Sequence, residues 1–172
     1  MAIYALGGDE PKIHPTAFVH PQATIIGKVE IGAESSIWPS AVLRGDHGFI
    51  RVGDRTSIQD GSVLHVTAEH ETIVGDESVI GHLVHLEGCV IESGALVGNA
   101  SVVLHRAIVR TGAVVGSNAV VTNDTEVPSG ALALGIPAKI RHGAAKPEMI
   151  TDAVEKYVAR AAQYRSQLRR LD

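Results

Sequence analysis

The 172-residue sequence predicts an all-β protein, a parallel β-helix of hexapeptide repeats followed by one α-helix. Three observations predict this fold. Branched aliphatic residues recur every six positions through most of the chain, and small residues recur two positions before them. Aromatic residues make up only 3% of the composition, although 45% of the residues are hydrophobic. A six-residue period with one aliphatic and one small position is typical of a β-helix, whose narrow interior has no room for rings.

The six-residue register begins at Ile13 and continues unbroken to Leu43. It resumes at Val52 after three extra residues, at Val74 after four, and at Ile91 after the loss of one residue. Every position in this register is Ile, Val or Leu: Ile13, Val19, Ile25, Ile31, Ile37, Leu43, Val52, Ile58, Leu64, Val74, Ile80, Leu86, Ile91, Val97, Val103, Val109, Val115 and Val121. Three hexads close one triangular coil of about 18 residues. Successive coils are expected to stack at the ordinary strand spacing of about 4.8 Å.

The chain divides into a β-helix domain over residues 1–141 and an amphipathic helix over residues 147–171, joined by a linker rich in Gly and Ala. The helix is predicted because apolar residues recur at spacings of four and three. They are Ile150, Val154, Tyr157, Ala161, Tyr164, Leu168 and Leu171. We expect this stripe to pack on a flank of the β-helix, either its own or that of a neighbouring chain.

Composition excludes several classes of function. A formal net charge of −4 argues against a nucleic-acid surface. The longest apolar runs fall far short of the roughly 20 residues that span a bilayer, and the first residues do not resemble a signal peptide. The single cysteine, Cys89, excludes an intrachain disulfide and falls in a small inward position, where a buried inert thiol is expected. We therefore predict a cytoplasmic protein without nucleic-acid or membrane partners.

Polar residues interrupt the corners of the predicted coils, where Gly otherwise often follows the aliphatic register. One corner carries Arg44, His65 and Glu87 in successive coils, and another carries Trp38 and then Gln59. His65 and Glu87 are 22 residues apart, which is one coil with the four-residue insertion. The two side chains are therefore expected to lie one above the other.

The same spacing places His82 over Asp60, at a different corner of the coil. His82 then points away from His65 of its own chain, so the two imidazoles can meet only across a boundary between subunits. Insertions at residues 46–50 and 66–73 are expected to form loops beside these columns, where functional groups are commonly placed. Four titratable residues there are candidates to carry protons to solvent: His47, Glu69, His70 and Glu71. His105 shows no polar neighbour in its column and is not expected to take part.

Three motifs resemble the γ-class carbonic anhydrase family: RGD at 44–46, SIQDGSVLH at 57–65 and GHLVHLEGC at 81–89. The resemblance covers about residues 10–141. It implies a left-handed β-helix, a homotrimer, and a zinc or iron ion at each boundary between subunits. The motif GIPAKIR at 135–141 also occurs in hexapeptide acyltransferases.

Carried onto this chain, the resemblance implies that His65 of one subunit and His82 of the next are metal ligands. It also implies that four polar residues assist the site: Gln59 near the water on the metal, and Arg44, Asp46 and Asp60 holding the subunits together.

The third ligand departs from the family pattern, because Glu87 stands where the family has His. Three interpretations follow. Glu87 itself binds the ion in a His₂Glu site, a ligand set that zinc accepts; His85 replaces the missing ligand; or metal binds weakly or not at all. We expect Glu87 to be the ligand.

The expected function is therefore hydration of CO₂ to bicarbonate by metal hydroxide, with Zn²⁺ or Fe²⁺ as cofactor. Because a carboxylate ligand makes the ion a weaker Lewis acid, we expect slower hydration than at a three-histidine site. Two alternatives stay open. One is a hexapeptide acyltransferase that uses acyl-CoA and a histidine base, and the other is a non-enzymatic trimer that binds a metal or a siderophore.

Overall fold

A computed structural model describes residues 2–172, which form twenty strands and one helix. In chain order they are β1 (Ala2–Tyr4), β2 (Lys12–Ile13), β3 (Phe18–Val19), β4 (Thr24–Ile31), β5 (Ser36–Ile37), β6 (Val42–Val52), β7 (Ser57–Ile58), β8 (Val63–His65), β9 (Thr72–Val74), β10 (Val79–Ile80), β11 (His85–Glu87), β12 (Val90–Ile91), β13 (Leu96–Val97), β14 (Val102–Val103), β15 (Ile108–Val109), β16 (Val114–Val115), β17 (Val120–Val121), β18 (Glu126–Val127), β19 (Leu132–Leu134), β20 (Lys139–Arg141) and α1 (Pro147–Gln167).

The strands stack as the three faces of a left-handed β-helix. The first face runs β3-β5-β7-β10-β13-β16-β19, with β20 antiparallel to β19 at its end. The long strand β6 joins the other two faces, which continue as β8-β11-β14-β17 and β9-β12-β15-β18. In the regular part of the helix, partners in adjacent coils are 18 residues apart, as with Val102 and Val120. The predicted triangular coil is confirmed.

The aliphatic register fills the interior. Every member from Val19 to Val121 is at most 9% exposed, and only Ile13, near the N-terminal end, is half-buried. Hydroxyl groups in the small positions bond to the coil above: Ser35 Oγ donates to the Gly53 carbonyl at 2.6 Å, and Ser62 Oγ to the Gly81 carbonyl at 2.8 Å. These buried polar groups are therefore satisfied within the solenoid.

The two insertions behave differently. Residues 46–50 do not form the expected loop, because β6 runs through them and its pairing with β4 shifts register between Gly27 and Val29. The added residues are absorbed as a bulge in a paired strand. The second insertion does form a loop between β8 and β9, in which the His70 N–H donates to Thr67 Oγ1 at 3.1 Å.

Helix α1 packs against the first face of its own chain. Ile150 and Val154 contact Val79, and Ala161 lies against Phe18 and Trp38. A proline at its first turn suits the start of a helix, because that position has no intrahelical partner for an N–H.

The prediction of a helix to residue 171 is wrong by four residues at its C-terminal end. The chain is extended from Leu168, and Leu168 and Leu171 are 47% and 82% exposed, so neither is held in the apolar stripe. Within residues 2–172, no helix has the length and apolar character needed to cross a membrane.

Candidate functional site

His82 and Asp60 occupy stacked turns that follow β10 and β7 on the first face. The Leu83 N–H donates to the Asp60 carbonyl at 2.9 Å, which aligns the two turns. Gly61 has φ +67°, and a side chain there would meet Leu83 Cδ2 at 2.7 Å, so the lower turn favours glycine. In this frame His82 Nδ1 lies 2.9 Å from Asp60 Oδ2, as the 22-residue spacing predicts.

The carboxylate of Asp60 orients the His82 ring. When Nδ1–H donates to Asp60, the lone pair of the neutral imidazole is on Nε2. The His82 side chain is 44% exposed, and its Nε2 has no hydrogen-bond partner among residues 2–172. His82 is therefore an accessible base that the carboxylate of Asp60 holds in one tautomer.

Glu87 lies at the centre of a second group of titratable side chains. It pairs in register with His65 of the adjacent coil, and Glu87 Oε1 is 2.9 Å from His65 Nδ1. Its other oxygen is 3.2 Å from His85 Nε2, and His105 Nε2 lies 3.6 Å from Oε1. One carboxylate thus faces three imidazoles.

Asp46 completes this group from β6. Asp46 Oδ1 is 3.2 Å from His65 Nε2, and Arg44 forms an ion pair with the other oxygen of Asp46. Burial raises the pKa of Asp46, but hydrogen bonds and the charges of Arg44 and His65 outweigh it and hold that pKa below its usual value. Both ring nitrogens of His65 face carboxylates, so a substrate or a metal ion would reach this ring only by displacing Asp46 or Glu87 from one of them.

The charge of Glu87 is fixed in the same way. Burial raises its pKa. Hydrogen bonds from His65 and His85, the charge of His65 and the nearby His105 ring outweigh burial, so the pKa lies below its usual value. Glu87 is therefore a carboxylate at neutral pH, as a metal ligand or the acceptor of hydrogen bonds must be.

The remaining sequence-predicted residues lie apart from these two groups. Gln59 is 3% exposed directly before Asp60, and Cys89 is 1% exposed, with a pKa that burial raises to about 12. The four predicted proton carriers make no hydrogen bond to His65, His82 or Glu87 in the described part of the chain. His47 and Glu69 are exposed, His70 accepts from Arg106 at 3.3 Å, and Glu71 pairs with Arg51 at 3.3 Å.

His105 corrects the sequence analysis. The coil between Glu87 and His105 is one residue short, so His105 lies over Gly88, next to Glu87, and its Nε2 is buried without a hydrogen-bond partner among the described residues. Counting one coil of 17 residues from Glu87 gives Leu104, so His105 approaches Glu87 only as a diagonal neighbour. His85, the alternative third ligand of the sequence analysis, also contacts Glu87.

The donor types suit zinc, which takes imidazole nitrogen and carboxylate oxygen. In residues 2–172 of one chain, however, no group of three or more His, Cys, Asp or Glu side chains is arranged to hold a metal ion. Glu87 and Asp46 contact the His65 ring directly, and His82 lies at another corner. A site made of His65, Glu87 and His82 therefore needs two chains.

Solved structures of two bacterial proteins match this fold along nearly its whole length. A Bacillus cereus protein described as a candidate acetyltransferase is 34% identical, with a TM-score of 0.95 over 97% of this chain and 98% of that one. A hexapeptide transferase family protein of Anaplasma phagocytophilum is also 34% identical, with a TM-score of 0.91 over 95% and 98% of the two chains. The chain belongs to the hexapeptide-repeat left-handed β-helix family.

Within this family, the carnitine operon protein CaiE of Escherichia coli is 49% identical over 104 residues, which are 60% of this chain and 53% of CaiE. The chain therefore matches about half the length of that curated relative. No protein-family model matches the chain. Family membership establishes the solenoid fold, whereas the reaction depends on the side chains that the solenoid carries.

Proposed function

We propose that this hexapeptide-repeat protein is an acyltransferase, which moves an acyl group from an acyl-CoA to a hydroxyl or amine acceptor. The observation that carries the proposal is the His82–Asp60 pair, in which Nδ1 is held at 2.9 Å and Nε2 is free on a 44% exposed side chain. The descriptions of the two relatives at 34% identity, a candidate acetyltransferase and a hexapeptide transferase, support it.

The proposed reaction needs one base and one oriented carboxylate. His82 Nε2 takes the proton of the acceptor as its oxygen or nitrogen attacks the thioester carbonyl. The carbon–sulfur bond then breaks, and the imidazolium returns the proton to the departing CoA thiolate. Asp60 keeps Nδ1–H in place and stabilises the imidazolium between these steps.

The proposal is tested by release of CoA thiol from acetyl-CoA in the presence of a panel of small amines and alcohols. His82→Asn is expected to lower turnover by a factor of about 10² to 10⁴, the usual range for loss of a general base. His142→Asn changes an exposed histidine after β20 and serves as the matched control. Thiol release that is absent in the parent protein, or equal in the parent protein and His82→Asn, would contradict acyl transfer.

The stacking of His65 and Glu87 favours a second candidate, hydration of CO₂ at a metal site shared between subunits of a homotrimer. His65 and Glu87, 2.9 Å apart, would hold the ion together with His82 of the next subunit. When bound, a zinc or iron ion would supply Lewis-acid chemistry suited to CO₂. Arg44 and Asp46 would fix the position of His65, and Gln59 would orient the small substrate.

Metal content of the purified, untagged protein tests this second candidate. About one zinc or iron per chain is expected, and Glu87→His in metal-loaded protein should increase CO₂ hydration because a neutral ligand leaves the ion a stronger Lewis acid. Glu10→His adds an imidazole at an exposed position before β2, outside the predicted proton carriers, and is the control. Metal binding without either activity would instead favour a non-enzymatic metal- or siderophore-binding trimer.

A further inference from the structure

A cavity of about 390 Å³ lies between α1 and the first face, and Asp60, which contacts His82, is part of its lining. The helix and the solenoid both contribute to its lining: Trp38, Asp60, Lys156, Tyr157, Arg160 and Tyr164. Asp60 lines this cavity and also accepts a hydrogen bond from His82 Nδ1 at 2.9 Å, so one residue connects the cavity with the candidate base. Its volume is in the range of sites for small organic molecules.

Three aromatic rings form one wall of the cavity. The Trp38 ring centroid is 5.8 Å from that of Tyr157 and 5.1 Å from that of Tyr164, in edge-to-face contacts. Trp38 Nε1 donates to the hydroxyls of Ser36 and Ser57, both at 3.0 Å, which fixes the indole. A chain with only 3% aromatic residues thus gathers three of its rings here, against a rigid face.

Two cations without acid partners lie at the rim of the same cavity. Lys156 and Arg160 are one turn apart on α1 and exposed, and neither has a carboxylate within 4 Å in the described chain. Three arginines of the solenoid differ in this respect, since Arg55, Arg106 and Arg110 all pair with Asp or Glu. The acid that lines the cavity, Asp60, is engaged by His82. The cavity therefore has a surplus of positive charge.

We infer that this cavity binds a small organic anion, a carboxylate with a flat or apolar body. The carboxylate would meet Arg160 and Lys156, because the guanidinium fork pairs well with carboxylate oxygens. The body would lie along the rings of Trp38, Tyr157 and Tyr164. If the proposed acyltransferase function holds, on which this step rests, the bound anion is the acceptor of the acyl group. The acceptor would then be a hydroxy- or amino-carboxylate.

Binding of benzoate, measured by calorimetry or ligand-observed NMR, tests the inference. Benzamide has nearly the same shape without the charge and should bind at least about five-fold more weakly. Lys156→Gln and Arg160→Gln should each weaken the binding of benzoate by about three-fold or more. Glutamine is chosen because it preserves the helix. Lys139→Gln and Arg141→Gln remove exposed cations on β20, outside the cavity, and should leave binding unchanged.

The outcomes separate this inference from the proposed function. Equal binding of benzoate and benzamide, no binding of benzoate, or parent-like binding in both cavity variants would overturn it. His82→Asn should still bind benzoate, whether or not the parent protein releases CoA thiol. Benzoate binding in a protein without transferase activity would remove the acyl-transfer proposal and keep the anion site.

Discussion

Glu87 is the residue at which charge, burial and coil spacing act together. Its carboxylate faces His65 at 2.9 Å and His85 at 3.2 Å, and its side chain is 24% exposed. Burial alone would raise its pKa, yet the imidazoles lower it below the usual value. A carboxyl group with a lowered pKa in the folded state stabilises the fold above its unfolded pKa, and this contribution is lost as pH falls through the folded value.

Glu87→Gln should therefore reduce the free energy of unfolding by about 1–2 kcal/mol at pH 7, because the imidazoles lose a charged acceptor. The difference between parent and variant should shrink as the pH falls through the lowered pKa of Glu87 and the parent carboxylate becomes protonated. Urea unfolding between pH 7 and pH 3 measures it. Glu69→Gln, on an exposed acid outside every ion pair of the described chain, should show no such difference, and a pH-independent loss in Glu87→Gln would contradict this account.

At this scale the sequence predicts pairs well and larger groups poorly. The sequence predicts two contacts, His65 with Glu87 and Asp60 with His82. Both follow from the length of one coil and its insertion, because residues one coil apart stack in a solenoid. His105 does not follow from this count, because the coil after Glu87 is one residue short and His105 lies over Gly88.

At the scale of elements, the turn that carries His82 depends on close approach of adjacent coils. A Cβ at Gly81 would lie 2.4 Å from Asn99 Oδ1 and 2.9 Å from the Asn99 backbone nitrogen. The Asn99 side chain accepts from the His82 N–H at 3.1 Å, so a displaced Asn99 would also release the turn.

Gly81→Ala should consequently destabilise the protein by about 1–3 kcal/mol, the usual cost of overpacking, and lower any activity that depends on His82. Thermal unfolding together with the thiol-release assay measures both effects. Gly8→Ala is the control, since a Cβ there meets nothing within 4 Å. Equal stability of the two variants would show that the coils separate easily at this corner.

Elements whose form depends on pairing were predicted less well than the register. Residues 46–50 are an insertion in the repeat, but β4 pairs with β6 on both sides of them, so they continue β6 as a bulge. The helix begins where its proline indicates and ends at Gln167, because the last two leucines find no surface to cover. The cavity could not be predicted at all, since it exists only where α1 meets the first face.

At the scale of the whole molecule, the exposed apolar residues near the site indicate where a second chain would lie. Leu83 is 67% exposed beside His82, and Val63 is 37% exposed on β8. Large apolar side chains at an otherwise polar corner favour coverage by another protein surface. The homotrimer that we propose would place these residues between subunits and bring His82 of one subunit towards His65 and Glu87 of the next.

Leu83→Lys should therefore shift the protein from trimer to monomer in sedimentation velocity, because a desolvated lysine is costly in an interface. Ile136→Lys, at a 74% exposed position in the turn between β19 and β20, should stay trimeric.

The Leu83→Lys monomer also separates the two proposed functions. The His82–Asp60 pair belongs to one chain and should keep part of its transferase activity, whereas a metal site that needs two chains should lose its ion. A Leu83→Lys monomer that retains one zinc per chain would contradict the shared site, and a Leu83→Lys trimer would contradict the assembly.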